Sequence, residues 1–267
     1  MNTTLKSAIA MTTLMIATAP AMAYFQGFED PAFAPGDPND WNNFTGTITR
    51  ATSGTAGITS ATGVAHATVS ADSSGPFTRL GGYSSTFGPG FTASLDVYLD
   101  TSWVNGQGFD YSVAVNNQAG DHLRDFIWHV GVDSGSLLVN ASNNTDFAFN
   151  AFKLNNENGG NNYTVASTGW YTFEQVFYDN AGALAVDFNL LDNLGNTLYS
   201  ITRSTPTDLI ASVVGGNRYG WMTYNNIDGL AVDNTSLSAN GTVIPTPAAF
   251  GAGLIGLSLV ALRRRSA

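Results

Sequence analysis

Residues 91–100, FTASLDVYLD, alternate without a break. Phe91, Ala93, Leu95, Val97 and Leu99 fall on one side, and Thr92, Ser94, Asp96, Tyr98 and Asp100 on the other. A period of two belongs to a strand with one face buried and the other wet. The alternation returns at 111–115, 126–132, 171–178, 184–190 and 198–201. Turn-forming runs separate these segments: NNQAGD at 116–121, NENGGNN at 156–162, DNAG at 179–182 and DNLGN at 192–196, the last two reading as hairpin closures. Between the chain ends no 3.6-residue apolar period is sustained, and the best helical stretch is a turn or two near 207–213. Roughly a dozen strands at this spacing imply an all-β fold, two antiparallel sheets packed as a jelly-roll sandwich.

Both ends of the chain depart from this pattern. Residues 1–23 carry Lys6, an apolar stretch at 8–17, Pro20 and the small-residue triplet Ala21, Met22, Ala23. This is the layout of a cleavable signal helix, with Ala21 and Ala23 forming the signal-peptidase site and Tyr24 starting the mature chain. The other end has Pro245, Thr246 and Pro247, an apolar helix-forming run at 248–262, and Arg263, Arg264 and Arg265. Fifteen residues at about 1.5 Å each reach about 22 Å, short of the roughly 30 Å hydrocarbon core. The arginines belong on the cytoplasmic side, which places the body outside, where the amino-terminal signal also sends it. The chain divides into a signal peptide (1–23), a sandwich domain (24–240) and a tail (241–267).

The tail, VIPTPAAFGAGLIGLSLVALRRRSA (243–267), resembles the tripartite carboxy-terminal signal of PEP-CTERM proteins, the exosortase substrates of Gram-negative bacteria. Thr246 stands where the namesake motif has glutamate. The resemblance implies an exosortase-like processing enzyme as partner, transient contact with the inner membrane, cleavage near Pro247, and delivery to the cell envelope, surface or extracellular matrix. A permanent carboxy-terminal anchor is the alternative.

Charge and composition narrow the function. All 20 acidic residues lie between Glu29 and Asp233, and only six of the ten basic residues lie in the body, which carries a net charge of −14. Such a surface repels phosphate backbones and excludes nucleic acid as a partner. Cysteine is absent, which removes disulfides, thiolate nucleophiles and cysteine-bound zinc.

The segments 169–201 (GWYTFEQVFYDNAGALAVDFNLLDNLGNTLYSI) and 219–237 (YGWMTYNNIDGLAVDNTSL) resemble the closing half of concanavalin A-like lectin/glucanase, or laminin-G-like, sandwiches. GFED at 27–30 and VDN at 232–234 are similar to the ends of carbohydrate-binding jelly rolls. The resemblance implies that first and last strands lie side by side and that acidic residues there hold a structural Ca2+, with Glu29 and Asp233 as ligands.

Catalytic patterns are sparse. Glucanases of that fold carry E-x-D-x-x-E or E-x-D-x-E on one strand, and Glu29, Glu157 and Glu174 fit neither spacing. Asp96 and Asp100 share a face but lie about 13 Å apart, beyond the roughly 5–9.5 Å of glycosidase pairs. His66, His122 and His129 form no H-E-x-x-H, and no G-x-S-x-G occurs. On a continuous strand His122 and His129 point to opposite faces. The densest polar stretch, DHLRDFIWHVGVD at 121–133, has two readings. In one, His122, Arg124 and His129 belong to a glycan-binding face. In the other, Phe126, Trp128, Val130 and Val132 enter the core and the charges lie on a solvated face. Trp170 and Trp221 sit inside expected strands and read as core. Trp103, in the turn-like 101–108, reads as an exposed stacking platform. The expectation is a non-enzymatic exported sandwich that binds or scaffolds extracellular polysaccharide. A glycan-cleaving enzyme with a non-standard site and a purely structural surface or adhesion component are the alternatives.

Overall fold

The computed structural model describes residues 23–36, 40–81, 90–117, 121–143, 157–209 and 220–239. Two antiparallel sheets account for the strands. One runs β13 (Thr197–Leu209), β12 (Ala183–Leu191), β11 (Gly169–Asn180), β6 (Phe91–Leu99), β15 (Leu230–Ala239), β4 (Ala65–Val69), β3 (Ile48–Thr52), with β1 (Ala23–Gln26) also paired to β15. The other runs β10 (Tyr163–Thr164), β9 (Ser136–Ser142), β8 (His122–Asp133), β7 (Gly108–Asn116), β14 (Gly220–Asn225), β5 (Phe77–Thr78), β2 (Trp41–Asn42). The chain changes sheet at β1–β2–β3, at β4–β5–β6–β7, at β10–β11 and at β13–β14–β15, as jelly-roll sandwiches do. First and last described strands are neighbours: Tyr24 opposes Leu237.

Burial follows the alternation. In β6 every odd-numbered residue is buried and every even-numbered one half-buried. The inward residues of the two sheets meet in one aromatic core, where Trp128 stands edge-on to Phe173 and Phe188 with ring centroids 5.2 and 5.0 Å away. Phe126 meets Phe177 the same way at 5.4 Å. Offset and edge-on contacts suit the ring quadrupoles and add to the area buried.

Both expected hairpins are present. The β11–β12 hairpin closes on Ala181 and Gly182, whose φ angles of 54° and 93° are those of a type I′ turn. Between β12 and β13 the Asp192 carboxylate accepts the backbone N–H groups of Leu194 and Asn196 at 2.9 and 2.8 Å, which organises the turn locally. The helical expectation near 207–213 is corrected at its start: residues 207–209 continue β13, because pairing with β12 extends to Leu209 opposite Ala183. Residues 210–213 lie outside the described residues.

Ala23, expected to end the signal peptide, is the first residue of β1, opposite Ser238. The rest of the signal segment, including Ala21, lies outside the described residues. So does the tail with Pro245, Thr246, Pro247, the 248–262 helix, Arg263, Arg264 and Arg265. No helix among the described residues is long and apolar enough to cross a membrane.

Candidate functional site

The sheet around β8 turns two faces to different tasks. Phe126, Trp128, Val130 and Val132 enter the core, as one of the two readings held. Asp125 and His129 alternate with them and point away from the other sheet, yet they are 1% and 2% exposed. The solvated-face reading is thereby corrected for both. Each buried polar group has found partners, as burial demands. His129 Nδ1 lies 2.8 Å from Asp110 Oδ1 on β7, and His129 Nε2 lies 2.8 Å from Ser142 Oγ on β9. An ionised carboxylate only accepts, so Asp110 holds the imidazole proton on Nδ1 and leaves Nε2 to accept from the Ser142 hydroxyl.

His122 reaches the same outer side, contrary to the opposite-face expectation. Val115 opposes Arg124 whereas Asn116 opposes His122, so Leu123 is an extra residue in the strand. That bulge reverses the alternation. His122 Nε2 meets Asp125 Oδ2 at 2.8 Å, and this hydrogen bond raises the His122 pKa. The Ser112 hydroxyl donates to the other Asp125 oxygen at 2.8 Å. Arg124 leaves the group altogether. Its guanidinium forms a bidentate pair with Asp208 of β13, in the opposite sheet, and donates to the Asn143 carbonyl at 2.9 Å. The structure therefore does not gather His122, Arg124 and His129 into one ligand face. Trp103 is corrected as well: it is half-buried, edge-on to Phe109 at 6.5 Å, because its turn folds back onto the core.

Glu29 and Asp233 do come together at one corner, joined by Asp96, which directly opposes Asp233 across β6 and β15. Their oxygens serve protein donors. Asp233 accepts the N–H groups of Asn234 (2.8 Å) and Thr62 (3.3 Å), Glu29 accepts the N–H of Val64 (3.0 Å), and Asp96 accepts from Thr172 (2.5 Å) and Asn234 Nδ2 (2.8 Å). The result is a clamp on the β3–β4 loop, residues 53–64. Gly63 closes it at φ +62°, where any Cβ would strike the Glu29 carboxylate. Among the described residues no group of three or more His, Cys, Asp or Glu is placed to hold a metal ion. The donors that meet these carboxylates are amides and one hydroxyl.

The same loop touches the side chain that sequence reasoning misplaced. Trp170 is half-buried on the outer face of its sheet, its Nε1 donating to the Thr59 carbonyl at 2.7 Å and its ring edge-on to Tyr98 at 5.5 Å. Trp221, by contrast, is buried as expected, with its Nε1 donating to the Gly75 carbonyl. Beside Trp170 opens a groove of about 400 Å³. Tyr163, Trp170, Tyr171 and Leu198 supply apolar wall, and Ser167, Thr168, Asp192 and Asn193 supply polar groups. It forms where the β10–β11 connection meets the β12–β13 turn. No single alternating segment contains it, which is why the sequence did not point there.

No protein-family model matches the chain, and no curated protein matches it. Among solved structures, peanut lectin with a 9mer peptide is similar at 8% identity, covering 82% of this chain and 97% of that one, with a TM-score of 0.40. The CBM2 module of the evolved Dit of Lactobacillus casei BL23 phage J-1 is similar at 12% identity, covering 84% and 99%, with a TM-score of 0.37. At these values neither likeness bears on what the chain binds.

Proposed function

We propose that this chain is an exported β-sandwich protein that binds or scaffolds polysaccharide at the cell surface or in the extracellular matrix and leaves glycosidic bonds intact. The observation that carries the reading is the groove beside Trp170. Sugars present apolar C–H faces and hydroxyl edges, and a groove of about 400 Å³ with three aromatic side chains and a polar rim offers partners for both. The Ala21-Met22-Ala23 site and the PEP-CTERM-like tail support delivery outside the cell, through signal peptidase and an exosortase-like enzyme. Cleavage of the glycan backbone is disfavoured: the carboxylates that oppose one another, Asp96 and Asp233, lie under the 53–64 loop, engaged by protein donors.

Affinity electrophoresis of the mature protein through a panel of neutral and acidic polysaccharides tests this. Retardation in at least one gel is expected, and Tyr163→Ala weakens it about tenfold, the loss of roughly 1.4 kcal/mol of ring contact. Unchanged mobility throughout the panel rejects the carbohydrate reading.

A further inference from the structure

We propose that Ser142, His129 and Asp110 form an acyl-transfer centre on the outer face of the second sheet, with Ser142 as nucleophile, His129 as general base and Asp110 as the group that orients the imidazole. The substrate class is a small ester. This assignment rests on a different face from the glycan groove and does not depend on it.

The order of the three groups carries the inference. A serine hydroxyl becomes nucleophilic when a neighbouring base takes its proton, and the base works when a third group holds its ring and tautomer. Here the Ser142 Oγ to His129 Nε2 and His129 Nδ1 to Asp110 Oδ1 separations are both 2.8 Å, within the range such relays require. The residues come from three adjacent strands, β9, β8 and β7, and Asp110 directly opposes His129 in register. Strands hold such groups more rigidly than loops do. A second serine on the same face supplies the contrast. Ser112 donates to the carboxylate of Asp125, and His122 binds the other oxygen of that carboxylate, so no imidazole faces the Ser112 hydroxyl. Of these two serines Ser142 has the base in the place where it takes the proton, and where Ser60 Oγ lies 3.0 Å from His66 Nδ1, the other ring nitrogen of His66 meets no carboxylate to orient it.

The steps balance with water as the second reactant. Ser142 Oγ bonds to the ester carbonyl carbon as its proton passes to His129 Nε2. The bond to the alcohol oxygen breaks, and that oxygen takes the proton from His129. Water, deprotonated by His129 in turn, attacks the acyl-serine and releases the carboxylic acid, restoring Ser142. Exposure of 2–3% for the three residues restricts the acyl group to a small one.

The experiment treats the intact protein with methanesulfonyl fluoride, whose one-carbon group matches the small acyl group that this burial admits, and maps the adduct by peptide mass spectrometry. Ser142 Oγ bonds to sulfur, fluoride leaves, and His129 takes the proton. The expected result is one adduct, on Ser142, absent in Ser142→Ala and formed at least about a hundredfold more slowly in Asp110→Asn. Absence of an adduct on the wild-type chain, an adduct at Ser112 or elsewhere instead, or an unchanged rate in Asp110→Asn overturns the proposal. The wild-type map decides the matter even where a variant fails to fold.

Discussion

Asp233 shows how far one carboxylate can be moved by its surroundings. It is fully buried, and burial first, then the charges of Asp96 and Glu29, push its pKa from 3.8 up to about 7 against the opposing hydrogen bonds from Asn234 and Thr62. The folded chain therefore keeps a proton that the unfolded chain has already released in the range between those values. Linkage then makes the stabilisation complete below about pH 4 and removes it as pH rises to about 7. A shift from 3.8 to about 7 corresponds to a loss on the order of 4 kcal/mol across that window. Urea denaturation at pH 4.5 and 7.5 is expected to show the wild type less stable at the higher pH, and Asp233→Asn to flatten that difference. His122 adds in the same direction, since Asp125 raises its folded pKa and that contribution also fades as pH rises through it. Asp72, Asp100 and Asp192, half-buried and each accepting local hydrogen bonds, have lowered pKa values, so their contribution is lost only in stronger acid. Alternation placed Asp96 on the outward face of its strand. That the outward face is covered there depends on a loop from the other end of the sheet, which periodicity does not report.

At the scale of single elements, local chemistry governs and the sequence was most readable. The DNAG hairpin formed as its residues dictated, with one exception to ideal turn chemistry: Ala181 occupies a left-handed position at φ 54°. A Cβ there costs about 1 kcal/mol, and asparagine tolerates the conformation better. Ala181→Asn is expected to raise stability by about 0.5–1 kcal/mol, measurable as a higher thermal midpoint. Bulges were the features that strand periodicity hid. The extra residue at Leu123 returned His122 to the face of His129. A second irregularity in β15 lies between Asp233 and Ser236, and Asn234 within it takes φ 47° and bridges Thr62 and Asp96. A bulge is settled by which partner strand is present, so no pattern internal to the strand announces it.

For the molecule as a whole, the seam between the sheets matters most. Along one side, β13 reaches over to β9 and β8: Arg203 donates to the Ala141 carbonyl at 3.0 and 2.8 Å, Asn143 to Thr205 at 2.9 Å, and Arg124 pairs with Asp208. On the other side Trp41 of β2 donates its Nε1 to Thr235 of β15 at 2.9 Å. Removing one partner of a buried ion pair strands the other charge, and Asp208 is only 5% exposed. Arg124→Ala is therefore expected to cost about 3 kcal/mol in urea denaturation, more than its place in a polar stretch of sequence suggests. The sequence by itself determined the alternating strands β6, β7, β8, β11, β12 and β13, the two hairpins, the acidic charge of the body and the absence of thiol chemistry, because each follows from composition or from neighbours a few residues away. Only the tertiary structure decided that Asp110, His129 and Ser142 meet, that Arg124 ties one sheet to the other, and that Trp170 borders a groove instead of filling the core. Those outcomes depend on which strands lie side by side and on what folds across their outer faces. Both are set by packing between residues far apart in the chain, where the two-residue period carries no information.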